Sequence, residues 1–401
     1  MASETQIGAA LRLSQERYPL APRRDGRSQN PPGSTILVAV VNHPSNCPFH
    51  VIFLLAAVAM LSPNATAADP AFGKADEAAD RGLAYLAAQQ HEDGSFDADL
   101  KTGAADGLKP KMATTALSLL AFLAEGHMPD MGRYGVAVRG AIDFLVSKVP
   151  DDGYVGSVDG SRMYGQAIVT LALSEAYGVE TAADKHRQER AVLRKMLAVI
   201  LKAQDVSKAE PYAGGWRYEP SAVDSDISLS GWNALALRAA QEAGFPVPGE
   251  SLKRAAAFVA RCYDPDSKTF AYQPGGERRL SATATGVLCL YLLDAKPEDR
   301  AKAEKAARSL AEHPIDEQNA YPFYCIYYVT HAAFQAGDDT WQAVSKATLG
   351  ALVESQSPDG SWQSLKHGNP ANASEPGKVY RTAMAVLTLS VPQRLLPIYQ
   401  R

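Results

Sequence analysis

Residues Arg81 to Phe96 read RGLAYLAAQQHEDGSF, and residues Thr114 to Ala124 read TTALSLLAFLA. The first run has the spacing of a helix that stops at a glycine turn, Asp93-Gly94-Ser95-Phe96. The second is apolar almost all round, with Leu117, Leu120, Ala121 and Ala124 on one helical stripe and few polar breaks elsewhere. A helix greasy on every side must be covered on every side. The pair therefore reads as a hairpin whose second helix is the more deeply buried.

Working outward, the same unit returns at a period of roughly 55 residues. A second copy has Arg139-Gly140, Phe144-Leu145 and Asp152-Gly153-Tyr154, then Tyr164 to Tyr177. The third has Gln204, Gly214-Gly215-Trp216 and Ile227 to Ala243. The fourth runs from Arg254 to Cys262, turns around Asp264 to Phe270, and continues from Thr283 to Leu293. The fifth is degenerate, with Ala303 to Glu312 and Tyr321 to Ala336. The sixth is clear again: Leu349 to Gln356, Asp359-Gly360-Ser361-Trp362, then Tyr380 to Leu389.

Six two-helix units fill residues 75 to 395 and predict an all-α fold, an (α/α)6 toroid with the second helices inside and the first helices outside. An open solenoid needs polar caps on its terminal repeats. The sixth unit is as apolar as the middle ones, which predicts closure. In each turn Gly supplies the left-handed residue that stops a helix, Gln90 and Gln356 supply an amide for freed backbone groups, and Phe96, Tyr154, Trp216, Phe270 or Trp362 covers the gap between hairpins.

Composition narrows the function classes. Hydrophobic residues make up 46% and charged residues 21%, and the net charge of -4 gives no basic excess for nucleic acid. The four cysteines, Cys47, Cys262, Cys289 and Cys325, form no CxxC pair and no cluster with His at metal-ligand spacing. Neither a disulfide framework nor a metal or cofactor site is read from them; the last three are expected as buried thiols. Val51 to Leu61 (VIFLLAAVAML) is too short to span a bilayer and suits a signal peptide, with cleavage after Ala65-Thr66-Ala67. The expected organisation is an N-terminal extension and signal peptide over 1–67 and an exported toroid domain over 68–401, with no membrane association required. About 50 polar, Pro-rich residues precede the apolar run, more than an ordinary signal peptide carries.

The pattern Arg-Gly-x-x-Tyr-Leu-x-x-x-Gln-x-x-x-Gly-x-Phe of the first copy resembles the QW motif of squalene-hopene cyclases, with Phe96 in place of the usual Trp. The second, third and sixth copies carry looser versions. By this resemblance the chain is similar to the bacterial prenyltransferase/squalene-oxidase repeat proteins over most of its length. The resemblance implies the toroid and leaves the activity open, because one fold serves many chemistries.

Class II terpene cyclases protonate an alkene from an Asp-x-Asp-Asp run. Here Asp224-Ser225-Asp226-Ile227 opens an inner helix, and the resemblance gives Asp226 the position of the acid, with Asp224 beside it. Ile227 replaces the third Asp, so the supporting carboxylate network is incomplete. The alternative for Asp226 is a helix N-cap. Tyr321, Phe323, Tyr324, Tyr327 and Tyr328 make a dense aromatic segment. Tyr321, Tyr324 and Tyr328, with Tyr164, Trp216, Tyr218, Trp232 and Tyr380, are the expected lining of a central cavity able to stabilise a cation, or else core packing. His331 and Arg381 join that lining; with Tyr327 they are also candidates for acid–base work on a glycan. Three readings follow: a cyclase-like toroid holding an apolar, isoprenoid-like small molecule; a non-catalytic ligand-binding or protein-interaction module; and a glycan-active lyase or hydrolase.

Overall fold

The computed structural model describes residues 70–98, 110–312, 314–315, 321–365, 377–393 and 395–400. Contacts divide the chain into Met1–Pro63 and Asn64–Arg401, and the described residues all belong to the second unit. The apolar run Val51–Leu61 and the cleavage site at Ala67 lie outside the described residues.

Helices alternate between two layers. The outer layer comprises α1 (Pro70–Gln89), α3 (Gly135–Lys148), α5 (Ala183–Gln204), α7 (Gly249–Arg261), α9 (Pro297–Glu312) and α11 (Asp338–Ser355). The inner layer comprises α2 (Lys111–Ala124), α4 (Arg162–Tyr177), α6 (Ile227–Glu242), α8 (Leu280–Leu292), α10 (Pro322–Ala336) and α12 (Gly377–Leu389). Around the inner layer α2 packs on α4, α4 on α6, α6 on α8, α8 on α10, α10 on α12, and α12 back on α2. Each outer helix lies on the inner helix of the preceding hairpin, and α1 completes the pattern by lying on α12. The fold is an α/α toroid.

Burial follows the sequence pattern. Every residue of α2 from Met112 to Ala124 is buried, whereas α5 buries one stripe, including Leu193, Met196, Leu197 and Ile200. Hydroxyls inside the inner ring are satisfied along their own helices: Ser118 donates to Thr114 O (3.0 Å), Thr170 to Gln166 O (2.6 Å) and Thr285 to Ser281 O (2.8 Å). The fourth turn departs from the others in forming a short antiparallel ladder, β1 (Tyr263–Asp264) with β2 (Thr269–Phe270).

The turn motif works as a staple between neighbours. Gln90 Nε2 donates to Gly94 O (3.0 Å) in its own turn and to Ala137 O (2.8 Å) in the next outer helix. Gln204 does the same with Gly214 O (2.8 Å) and Ser251 O (2.9 Å). At the seam Gln356 donates to Gly360 O (3.0 Å) and to Ala78 O (2.8 Å), joining the last hairpin to the first. Arg254 of the next hairpin donates to Gln204 Oε1 at 2.9 Å, and Arg81 plays the same part toward Gln356 across the seam. Gly360 has φ +86°, and a Cβ there would stand 2.4 Å from Arg81 O, so the position excludes any side chain twice over.

The turn aromatic and the inner helix complete the joint. Trp216 and Trp362 donate their indole N–H to Ile200 O and Leu352 O, each at 2.8 Å, near the ends of the preceding outer helices. Hydroxyls early in the inner helices accept the backbone N–H of the aromatic: Thr115 from Phe96 (2.9 Å), Ser230 from Trp216 (2.9 Å) and Thr283 from Phe270 (3.1 Å).

Segment 395–400 lies against one end of the inner ring. Tyr399 stands 4.1 Å from the His331 ring, and its hydroxyl bonds that of Tyr327. Gln335 Nε2 donates to Tyr399 O (2.9 Å), and Ile398 N–H donates to Glu175 Oε1 (3.3 Å).

Because removing a staple takes away two hydrogen bonds at the joint, Gln356→Ala is expected to cost about 1–3 kcal/mol in urea unfolding. Closure requires that Gln90→Ala cost the same within ~1 kcal/mol. A neutral Gln356→Ala beside a costly Gln90→Ala would mean that the seam is not closed.

Candidate functional site

The inner helices run the same way, so their N-terminal ends converge on one mouth of the ring. The turn segments build its rim. Trp216 and Asp226 form an isolated antiparallel bridge, with Asp226 N–H donating to Trp216 O at 3.0 Å. Tyr218 O accepts from Met163 N (3.0 Å) at the start of α4, and Tyr272 O accepts from Ile227 N (2.9 Å) at the start of α6. Each tyrosine is thus pinned by its carbonyl to the helix of the preceding hairpin, which leaves its ring over the mouth.

Asp226 is fully buried and has two jobs. Its Oδ1 accepts from Leu229 N (2.9 Å) as the N-cap of α6. Its Oδ2 accepts from Arg217 Nη1 at 2.6 Å. Burial pushes its carboxyl above the ordinary value, opposed by the Leu229 amide, by Arg217 and by the Tyr272 hydroxyl. Asp224, 40% exposed, pairs with Nε of the same Arg217 at 3.2 Å. One guanidinium therefore holds both aspartates of the Asp-x-Asp pair.

Arginines and tyrosines alternate across the rim. The Arg162 guanidinium carbon lies 5.9 Å from the Tyr218 ring centre, and that of Arg217 lies 5.1 Å from it. Arg217 is 5.5 Å and Arg279 5.1 Å from the Tyr272 ring. The two tyrosine hydroxyls meet at 3.2 Å, and Tyr272 Oη accepts from Arg217 Nη1 at 3.0 Å. Tyr164 meets Tyr218 edge-on at 5.9 Å. Burial, followed by the field of Tyr324 across the mouth, raises the Tyr164 phenol well above its ordinary value. The hydroxyl of Tyr324 interacts with Ser228, Thr285 and Tyr328.

Below the mouth the centre is packed. Trp232 stacks on Tyr327 with centroids 5.7 Å apart and planes 8° apart, and Tyr328 stands edge-on to both. His331 lies 4.5 Å from Tyr327, and burial pulls its imidazole down to about 3. Glu175, on the far side, is pushed up to about 8 by burial.

The sequence candidates separate accordingly. Tyr164, Tyr218, Asp224, Asp226 and Tyr324 come together at the mouth. Trp232, Tyr328 and His331 are buried beneath it. Trp216 does not line the centre: it is buried in the wall with its indole bonded to Ile200 O. Tyr321 is exposed beside the start of α10, and Tyr380 and Arg381 are half-buried in the first turn of α12. Of the expected set His331, Tyr327 and Arg381, the first two stay together at 4.5 Å, and His331 bonds the backbone of Leu387. Arg381 stands toward the start of α12 and Leu387 toward its end, and six residues of helix span roughly 9 Å.

Arg162, Arg217, Tyr272 and Arg279 were not singled out from the sequence. A signal existed for two of them. Trp216-Arg217-Tyr218 and Phe270-Ala271-Tyr272 are the same aromatic-x-Tyr step in consecutive copies, so aligning the copies places Tyr272 beside Tyr218. Arg217 lies between the two aromatics of the earlier step.

No family model matches the chain, and no curated protein matches its sequence. Solved structures do share the fold. An inactive variant of the α-1,6-mannanase GH76A of Salegentibacter sp. HEL1_6, in complex with α-1,6-mannotriose, is 12% identical with a TM-score of 0.59, covering 80% of this chain and 99% of that one. The apo type II terpene cyclase MstE from Scytonema is 14% identical with a TM-score of 0.51, covering 81% and 100%. A GH76 α-mannanase of Bacteroides thetaiotaomicron is 11% identical with a TM-score of 0.53, covering 79% and 95%. At these identities the likeness is one of fold.

The buried titratable groups set a pH dependence. Glu175 and Glu189 are each pushed up to about 8 from 4.5, chiefly by burial. The folded chain therefore holds protons that the unfolded chain releases, and stability falls as pH rises through that window. His331, pulled down from 6.5 to about 3, slopes the other way, but only below its ordinary value. Between pH 6.5 and 8 stability should fall, and Glu175→Gln, which can still accept from Ile398 N–H, should remove part of the fall in urea titrations. Equal slopes for wild type and variant would contradict this assignment.

Proposed function

We propose that this toroid binds a saccharide chain at the mouth formed by the N-terminal ends of the inner helices. The observation that carries the reading is the contrast between mouth and centre. An isoprenoid-like ligand needs an apolar void lined by aromatic faces, and the axis beneath the mouth is occupied by Trp232, Tyr327, Tyr328 and His331 packed on one another. The mouth instead offers hydroxyls of Tyr218 and Tyr272, guanidiniums and half-buried rings, the mixture of polar and flat apolar surface that a sugar's hydroxyls and C–H faces use.

The acid role suggested for Asp226 fits this site poorly. A proton donor to an alkene must be neutral and face its substrate, whereas Asp226 is buried, caps α6 and bonds Arg217. Tyr164, Tyr218 and Tyr324 are the residues placed to touch ligand. The mannotriose complex of the Salegentibacter mannanase supports the reading as a precedent for a saccharide held by this fold. Export through the N-terminal segment would bring the chain to extracellular glycans. The terpene cyclase MstE supports the isoprenoid alternative in the same way, through its fold.

A thermal-shift and equilibrium-binding panel of neutral and acidic oligosaccharides beside geranylgeranyl diphosphate separates the two. Saccharides should raise the melting temperature, with the effect lost in Tyr218→Ala and Tyr164→Ala. Stabilisation by geranylgeranyl diphosphate alone would overturn the proposal.

A further inference from the structure

At the end of the inner ring opposite the mouth, four polar side chains are buried together. They are Glu175 of α4 and Tyr327, His331 and Gln335 of α10, each 4% exposed or less. The last three are spaced i, i+4 and i+8, so they form one stripe along α10. All four reach segment 395–400. Glu175 Oε1 accepts from Ile398 N–H (3.3 Å), Gln335 Nε2 donates to Tyr399 O (2.9 Å), and the hydroxyls of Tyr327 and Tyr399 bond each other. The Tyr399 ring lies 4.1 Å from that of His331.

One N–H, one C=O and one phenol of a short segment are thus read by side chains of two different helices. Peptide sites work in this way: bonds to the main chain supply affinity, and a pocket for one side chain supplies specificity. Apolar neighbours would hold a mere filler as well, without the cost of burying a carboxyl, an imidazole and an amide.

The fit of the segment is incomplete. One ring nitrogen of His331 bonds the Leu387 backbone, and the other, Nε2, has no partner. Glu175 Oε2 has none either. Two buried polar atoms left unmet at one site weigh against the present occupant and favour one that supplies groups for both. The edge of the segment is also open. A cleft is lined by Leu395, Leu396 and Tyr399 of the segment and by Phe334, Leu387 and Val391 of the ring, and Leu395 is 45% exposed.

We infer that this end of the toroid is a peptide-binding site, that segment 395–400 is its built-in occupant, and that a partner protein's segment carrying an apolar residue followed by tyrosine displaces it. The partner's tyrosine takes the place of Tyr399 against His331 and Tyr327. Its main chain takes over the bonds to Glu175 and Gln335, and a hydroxyl or amide beside the tyrosine meets the two atoms that segment 395–400 leaves unmet. The site lies at the opposite end from the mouth, so it stands whether or not the mouth takes a saccharide.

Hydrogen exchange of the full chain, followed by mass spectrometry, measures release of the segment. Amides of segment 395–400 should exchange at least about tenfold faster than those of α10, through local opening. A fluorescent hexapeptide, Leu-Leu-Pro-Ile-Tyr-Gln, is then titrated into full chains by anisotropy. It should bind the Tyr399→Ala chain at least about tenfold more tightly than wild type, whose own segment holds the site. The same peptide with Ala in place of Tyr should bind that chain at least about tenfold more weakly. Adding Tyr218→Ala at the mouth should leave the binding unchanged. Exchange of the segment as slow as that of α10, loss of helical circular dichroism in Tyr399→Ala, or a folded Tyr399→Ala chain that ignores the hexapeptide overturns the inference, because the segment is then a fixed part of the core.

Discussion

A side-chain amide that returns at the first, third and sixth joints between hairpins carries much of the architecture. Gln90, Gln204 and Gln356 each give one N–H to the turn they belong to and the other to the outer helix of the next hairpin. The carbonyls they reach belong to their own turn and to the neighbouring outer helix, so each amide ties two hairpins together with two hydrogen bonds. The glycine turn is needed because the chain must come within contact of the neighbouring backbone, as Gly360 does with Arg81. At two of these joints the arginine of the next hairpin, Arg254 or Arg81, closes the exchange by donating back to the glutamine oxygen. Hairpin six meets hairpin one by the same bonds that join hairpin one to hairpin two, so the ring has no terminal repeat to cap.

Closure in turn fixes what the centre and the mouth can be. Six parallel inner helices bring their N-terminal ends to one side, and the tyrosine carbonyls of the rim are consumed by the N–H groups of Met163 and Ile227. That pinning places Tyr218 and Tyr272 next to each other and threads Arg217 between them. At the opposite side segment 395–400 fills the space that the ring would otherwise leave, with Tyr399 set against His331 and Tyr327. Among the described residues, charged and polar side chains rim the mouth, and segment 395–400 packs on the other end of the inner ring.

Much of this was legible in the residues. The period, the six helix pairs, the inner-outer distinction and the structural role of Gln, Gly and aromatic all follow from local spacing, because each repeat carries its own instructions. The N-cap at Asp226 was likewise a local reading, and the cap is there. What escaped was set by approach of distant segments. Arg217 reaches Asp226 only because an antiparallel bridge folds Trp216 back onto it. Tyr399 meets Tyr327 from 72 residues away. The aromatic segment from Tyr321 to Tyr328 is equally suited to lining a void or filling it, since both need large rings on the inward face of a helix, and only the partners Trp232, His331 and Tyr399 show it filled.

Closure of the ring sets α11 and α1 side by side at the seam. Two helices in contact have axes roughly 8–10 Å apart. Spin labels at Glu77→Cys on α1 and Lys346→Cys on α11, both exposed positions, in a Cys47→Ser background, report the spacing by pulsed electron resonance. A closed ring gives one narrow, short distance. A broad distribution at several times that spacing would mean that the first and last hairpins never meet.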